Sequence, residues 1–483
     1  MQKRGKTALT LVGFAVMLAA LLALMVSIGA GKDGFDIDEF FTYGLANSYQ
    51  QPFLSTQTGS WISGKAFSDY LTAKGHAHEY LNVYENQIAD VHPPLYYLFM
   101  HAVCSAFQNP PFTKWTGIGL NLFFFSLTQF GLLLLSARLL SDGEKLELTP
   151  PALLPGLLYG LSAGAASGVV FIRMYAMMTM WAVWLALALA ELFIHGQTVW
   201  RKFETAGRFA LWCFFALALA VGLFPWCLNH IFGGYRGRGA IESAAGVRLN
   251  DMIRWFKILW QTLDAQQFGG FLLALVLIGA ALAFWPLKKA GQGLKRGAAF
   301  SLWALLACGA YVLVISVISP YKVDRYIFCV YPLVTVALFM LFARGGCRFG
   351  SRRSSACLLA CAVLAACGAR VNRDQQVHYL YPGDSAYVAA CEENAALPCI
   401  LLGTNDMTQN TLELAAFERV YMLNADDAQG VAPALEALDE KPDGFILFER
   451  YHDEANVETV LRETGLESAE LLFEHQYHVY WVH

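Results

Sequence analysis

The sequence predicts an α-helical polytopic membrane protein that ends in a small α/β domain, and three observations predict it. Hydrophobic residues make up 56% of the 483 and charged residues only 15%, a balance too apolar for a soluble enzyme. Apolar runs recur along the chain at roughly twenty residues, the length a helix needs to cross a bilayer. Beyond Asn372 the pattern changes, with more charge and short β-type runs alternating with helical ones. A mean hydropathy of +0.42 agrees with the first two. Aromatic residues at 14% suit interfacial belts, and a formal charge of −4 gives no electrostatic case for nucleic acid.

Lys3-Arg4-Gly5-Lys6 followed by an apolar run to Ala30 reads as a retained anchor rather than a signal peptide. The run is too long for an ordinary signal core, and no clear cleavage site precedes the acidic loop. Further apolar segments lie at 115–138, 151–172, 174–194, 209–229, 268–287, 298–319, 326–343 and 354–371, with a shorter one at 93–108. Basic clusters stand at Lys3/Arg4/Lys6, Arg138, Arg201/Lys202/Arg208, Lys288/Lys289/Lys295/Arg296 and Arg344/Arg348/Arg352/Arg353. Positive-inside bias places all five in the cytoplasm only if 93–108 does not cross. That segment is then a re-entrant or interfacial helix in the first outer loop, with Pro93-Pro94 at its start. About nine crossings remain. Residues 1–371 form the expected transmembrane domain, 31–114 its first extracytoplasmic loop, and 372–483 an extracytoplasmic accessory domain.

Residues 250–264 alternate apolar and charged positions at helical spacing, as a helix lying on a membrane surface does. The preceding Gly233, Gly234, Arg236, Gly237, Arg238 and Gly239 read as a flexible surface loop, or as a loop that orders over substrate; no phosphate-loop spacing is present. In the C-terminal region strands are expected at 399–402, 420–423, 444–448, 471–473 and 477–481, with helices near 408–418, 431–439 and 454–465. Gly403-Thr-Asn-Asp406 is a turn and helix cap, not a phosphate fingerprint. The eleven cysteines make no metal pattern. Most sit in apolar runs as small hydrophobes, and Cys391 with Cys399 is the one pair placed where a disulfide could form.

Chemistry concentrates after the first span, where Asp36, Asp38 and Glu39 are followed by Asp90 and His92. Carboxylates at the mouth of a membrane cavity are costly to bury and are kept where they act on a proton or a cation. A partly shielded carboxylate is also a better base toward a hydroxyl or amine. Asp38 fits that role. The structural alternative is that Asp36 and Asp38 cap a helix starting near Glu39. On the expected topology Arg173, Lys322 and Arg325 fall at outer turns. There they suit an anionic group such as a phosphate, or else reach for lipid headgroups.

Asp38-Glu39 after the first span, Asp90-Val-His-Pro-Pro-Leu95, Arg173-Met-Tyr175 and Pro320-Tyr-Lys-Val-Asp-Arg-Tyr326 with Tyr331-Pro332 stand in an order and spacing with a precedent. Over roughly residues 1–345 the chain resembles the bacterial relatives of protein O-mannosyltransferases and aminoarabinose transferases. These are GT-C class glycosyltransferases that use polyprenyl-phosphate sugars. The resemblance implies Asp38 as catalytic base with Glu39 beside it, and Asp36, Asp90 and His92 shaping the acceptor side. It implies Arg173, Tyr175, Lys322, Arg325 and Tyr326 around the donor phosphate. It further implies inverting transfer of a sugar to an extracytoplasmic glycan, lipid or protein among membrane lipids, at a multi-pass cell membrane. No cofactor is expected; the alternative is a divalent cation held by Asp36, Asp38 and Glu39. Tyr96-Tyr97 stands where the protein mannosyltransferases have Gly-Lys, so a protein acceptor does not follow. The rival from another class is a transporter or flippase of polyprenyl-linked substrates, for which midplane charges, broken helices and repeated halves would be expected.

Overall fold

Apolar composition becomes helix throughout the first three quarters of the chain. The computed structural model describes all residues except 1, 55–58, 144, 196–198, 286–290, 320, 348–352, 404–407 and 441, and only the backbone of 2–4, 194–195, 199–203, 205 and 235–236. Lys288, Lys289, Arg348 and Arg352 of the basic clusters, Pro320, and Thr404 to Asp406 therefore lie outside the described residues, as do the side chains of Lys3, Arg4, Arg201, Lys202 and Arg236.

The chain divides into two compact units. The first comprises Met1–Ala30 and Ile118–His378, the second Gly31–Gly117 and Tyr379–His483. This differs from the expected division. The first loop, expected within the transmembrane domain, and the C-terminal region, expected as an accessory domain, fall in the same compact unit. Pairing of Trp61–Ile62 with the C-terminal sheet is one physical reason.

In the first unit six described helices are long and apolar enough to cross a membrane: Gly5–Ala30, Lys114–Leu140, Tyr175–Phe193, Ala206–Leu223, Gln292–Ile318 and Asp324–Gly346. Two bent pairs, Pro150–Gly160 with Ala163–Val170 and Leu249–Gln267 with Leu272–Phe284, raise the number to eight if each is one span. The protein is thus a helical multi-pass membrane protein. Its apolar faces need lipid: Trp212, Phe214 and Leu217 on one helix are 64–74% exposed, far beyond what a water-facing helix carries.

Nine full crossings are not all present among the described residues, and local chemistry says why. The expected 151–172 span breaks at Leu161, after which Ser162 accepts from the Ala165 N–H at 3.1 Å and starts a second helix at 66° to the first. Segment 209–229 is shifted rather than lost: its helix ends at Leu223, two residues before Pro225, which has no N–H for the helix ladder, and Ala206–Leu223 remains long enough to cross. The helix expected at 354–371 is Arg353–Gly368, sixteen residues long. The amphipathic 250–264 segment is helical, as Leu249–Gln267, and turns by 87° into Leu272–Phe284. The Gly/Arg run expected as a loop enters a helix, Tyr235–Gly246, carried by the helix formers from Ala240 onward.

The apolar window of Asp324–Gly346 is 78% buried and that of Ala206–Leu223 not at all, so the former lies at the centre of this unit. Tyr331 packs so tightly that a Cβ on Gly164 would lie 2.2 Å from its ring. Only glycine fits there. Glu191 meets the buried Arg138 at 2.9 Å, joining two spans.

The second unit is built on a six-stranded sheet of order β1-β3-β2-β4-β6-β5. The strands are β1 (Trp61–Ile62), β2 (Cys399–Leu402), β3 (Val420–Leu423), β4 (Phe445–Glu449), β5 (Ala469–Glu474) and β6 (His478–Val482). β3, β2 and β4 run parallel, and β6 pairs antiparallel with both β4 and β5. β2 and β4 are buried along their whole length, as parallel strands covered on both faces must be. Ile400, Leu402, Phe445, Leu447, Val460 and Val482 lie at the core. Helices Val431–Glu436 and Glu454–Thr464 help cover it, the latter ending on Gly465 in the left-handed conformation (φ 71°). Cys391 and Cys399 are both buried free thiols, not a disulfide.

The 93–108 segment belongs to this unit as Leu95–Ala106. Twelve residues reach about 18 Å, short of a hydrocarbon core of about 30 Å. Its Tyr96, Tyr97, Met100 and His101 face is buried in protein. Asn47 and Asn86 stitch its surroundings together, donating to Leu71 and Ser48 carbonyls at 2.9 Å.

Candidate functional site

In the second unit the acidic motif folds as a helix start. Asp36 is the N-cap of Ile37–Asn47, in extended conformation (φ −72°, ψ 150°). Its Oδ1 accepts from the Asp38 N–H at 2.9 Å, and Glu39 Oε2 accepts from the Asp36 N–H at 2.7 Å. This is a capping box, with Glu39 at the third helical position. The capping role weighed for Asp36 is therefore real; Asp38 sits in the first turn, where the helix dipole favours a carboxylate.

Glu39 has a second task. Lys32 Nζ lies 2.9 Å from the same oxygen, with both side chains fully buried, and also donates to the Tyr379 carbonyl at 2.6 Å. The ammonium stands 5.2 Å from the ring centres of Phe35 and Tyr381, and the Tyr381 hydroxyl donates to Asp36 Oδ2 at 2.9 Å. Lys32 and Tyr381 were not picked out from the sequence; nothing in a linear string marks a lysine whose partner carbonyl is 347 residues away. A divalent ion shared by Asp36, Asp38 and Glu39 would compete with this lysine for Glu39 Oε2. Asp38 is half-buried, at the rim of the arrangement.

Asp90 ends the Tyr80–Ala89 helix, and its Oδ2 lies 2.7 Å from His92 Nδ1. The carboxylate thus orients the imidazole, and Pro93-Pro94 leads directly into Leu95–Ala106. Elsewhere in this unit burial raises Glu413 to about 7, and burial also raises the Asp384 carboxyl despite the nearby His475. His101 is pushed down by burial.

In the first unit Arg173 is buried between the end of Ala163–Val170 and the start of Tyr175–His195. Arg325 lies in the 3-10 turn Asp324–Val330 that opens the central span. These segments, some 150 residues apart in sequence, meet: Tyr175 and Tyr326 rings are 5.9 Å apart, edge to face. The Arg325 guanidinium stands 5.3 Å from the Phe171 ring centre and 5.8 Å from that of Tyr326. Phe171 in turn stacks on Tyr175 at 5.8 Å. Three of the five residues expected around a donor phosphate, Tyr175, Arg325 and Tyr326, are thereby brought together at two span starts. Lys322 instead turns back to donate to the Ser319 carbonyl, and burial lowers its pKa.

A neighbouring polar network escaped the sequence reading. Asp324 Oδ2 accepts from Gln266 Nε2 at 3.0 Å and meets His378 Nδ1 at 2.7 Å; Tyr331 donates to Gln266 Oε1 at 2.6 Å. The Ser167 hydroxyl accepts from the His378 N–H at 2.9 Å. The hydrogen bond to Asp324 raises His378 above its ordinary pKa, against the opposing effect of burial. The usable signal was Asp324 itself, a carboxylate opening an apolar run, which needs a partner if buried.

Comparison with models of known protein families and with curated proteins returns no match.

Proposed function

We propose that the chain is an integral-membrane inverting glycosyltransferase that moves a sugar from a polyprenyl-phosphate donor to an acceptor outside the cytoplasm. The observation that carries the reading is the gathering of Arg325, Tyr175, Tyr326 and Phe171 where two spans begin. A guanidinium stacked on aromatic rings at a span end suits a lipid phosphate, because it offers forked donors to the headgroup at the depth where the lipid chain starts. Positive partial charge at the helix starts adds to it.

In this reading the acceptor hydroxyl attacks the anomeric carbon, the bond from that carbon to the phosphate oxygen breaks, and polyprenyl phosphate leaves as an anion stabilised by Arg325 and Arg173. The family resemblance gives the hydroxyl proton to Asp38. A phosphate leaving group already departs as an anion, so a base is needed more than an acid. The Asp36 cap and the Lys32–Glu39 pair hold the helix that carries Asp38.

A second reading, a transporter of polyprenyl-linked substrates, draws support from the two bent helix pairs and from Asp324 beside His378. Purified protein in liposomes with a labelled polyprenyl-phosphate sugar separates them. Acceptor-dependent release of polyprenyl phosphate is expected of the enzyme; movement between leaflets without release belongs to the transporter.

A further inference from the structure

In the second unit, at the end of the sheet edge formed by β5 and β6, two histidines and a glutamate converge. Glu474 and His478 are direct cross-strand partners, and His478 Nε2 lies 3.1 Å from Glu474 Oε1. His452 arrives from the turn after β4 and brings Nδ1 to 4.0 Å from the same oxygen. The two imidazoles stack with centres 3.7 Å apart and planes 24° from parallel. One donor atom from each residue lies within 4.8 Å of the others. A tetrahedral ion with bonds of about 2.0–2.2 Å needs its ligands roughly 3.4 Å apart, so side-chain rotations that draw these atoms together and unstack the rings close the set.

The support behind this trio is specific. His452 holds a left-handed backbone conformation (φ 56°), which costs free energy for a residue with a Cβ. The turn is fixed by the fully buried Glu449, which accepts from the Tyr451 N–H at 3.1 Å and the Asp453 N–H at 3.0 Å. His478 Nε2 is shut off from solvent, and its 3.1 Å approach to Glu474 Oε1 is an ion-pair contact without hydrogen-bond geometry. Its Nδ1 contacts the Tyr480 hydroxyl at 3.3 Å, the outer contact that fixes a ligating imidazole with Nε2 toward a metal. Two imidazoles 3.7 Å apart repel when both are protonated, and they take up one ion only by tilting out of this stack, because each lone pair lies in its ring plane.

We propose that His452, Glu474 and His478 form a binding site for a zinc-class divalent cation. Two neutral imidazoles and one carboxylate match the borderline-soft ions, and the exposed side of His452 and Glu474 leaves a fourth position for water. The ion ties the 450–453 turn to the β5–β6 hairpin. The site is independent of the transferase reading.

Full-length protein in detergent, stripped with a chelator and titrated with Zn²⁺ alone by calorimetry, tests it. One-site binding is expected, weakened at least about tenfold in His452→Ala, in His478→Ala and in Glu474→Gln. No zinc uptake by the wild type, or wild-type affinity in the His452→Ala/His478→Ala double variant, overturns it. Should the alanine variants fail to fold, Glu474→Gln decides, since that side chain is 63% exposed. Zn²⁺ should raise the melting temperature of the wild type and not of this variant; an equal rise in both overturns the site.

Discussion

Lys32 Nζ and Glu39 Oε2 are 2.9 Å apart with neither side chain reached by solvent. Removing one partner strands a buried charge, which costs roughly 3–5 kcal/mol, whereas replacing both by apolar groups of similar size costs far less. Glu39→Ala should therefore lower thermal stability in detergent sharply, and Lys32→Met/Glu39→Leu should recover most of the loss. A Glu39→Ala protein as stable as one with the exposed Asp69 replaced would contradict this.

His378 and Asp324 make stability depend on pH. The folded-state pKa of His378 is raised above its ordinary 6.5, so the folded protein holds a proton that the unfolded chain releases. The stabilisation is complete below about 6.5 and is lost as pH rises through the folded value. Melting temperatures across pH 6 to 9 should show this decline in the wild type and a flatter profile in Asp324→Asn. Parallel profiles would argue against it.

Glu413 works in the same direction for a different reason. Burial raises its carboxyl from 4.5 to about 7, so between those values the folded state binds the proton and the unfolded state does not. Stability falls over that window by an amount on the order of 3 kcal/mol, at about 1.4 kcal/mol per unit. Glu413→Gln should be more stable than the wild type at pH 8 and not at pH 4, as read by thermal melting.

Arg325→Ala should weaken donor binding roughly 10–100-fold, the loss of a charged hydrogen-bonding group from a phosphate site. Arg325→Lys should restore part of it, since lysine keeps the charge but not the planar stacking on Phe171. Unchanged affinity for a labelled polyprenyl-phosphate sugar in Arg325→Ala would remove the phosphate role.

Much of the fold is readable in the sequence because bilayer length and strand composition are local properties. Runs such as 298–319 and 326–343 became long helices, and 399–402 and 420–423 became strands, with no help from distant residues. What distant partners decide was not readable. A two-residue strand, Trp61–Ile62, has no periodicity, and its pairing with Val420–Tyr421 spans most of the chain. The break at Leu161–Ser162 hides inside continuous apolar composition, signalled only by a serine able to cap. Within the candidate site the acids and arginines stood out by charge, while Lys32, Gln266 and His378 gained meaning only from what they touch.

Turnover of the Asp38→Asn protein bears most directly on the transferase reading. In liposomes with a labelled polyprenyl-phosphate sugar and acceptor, transfer should fall by roughly 10²–10⁴, the usual contribution of a positioned base, while donor affinity stays at the wild-type level. Transfer at the wild-type rate would contradict the assignment of Asp38 as the base.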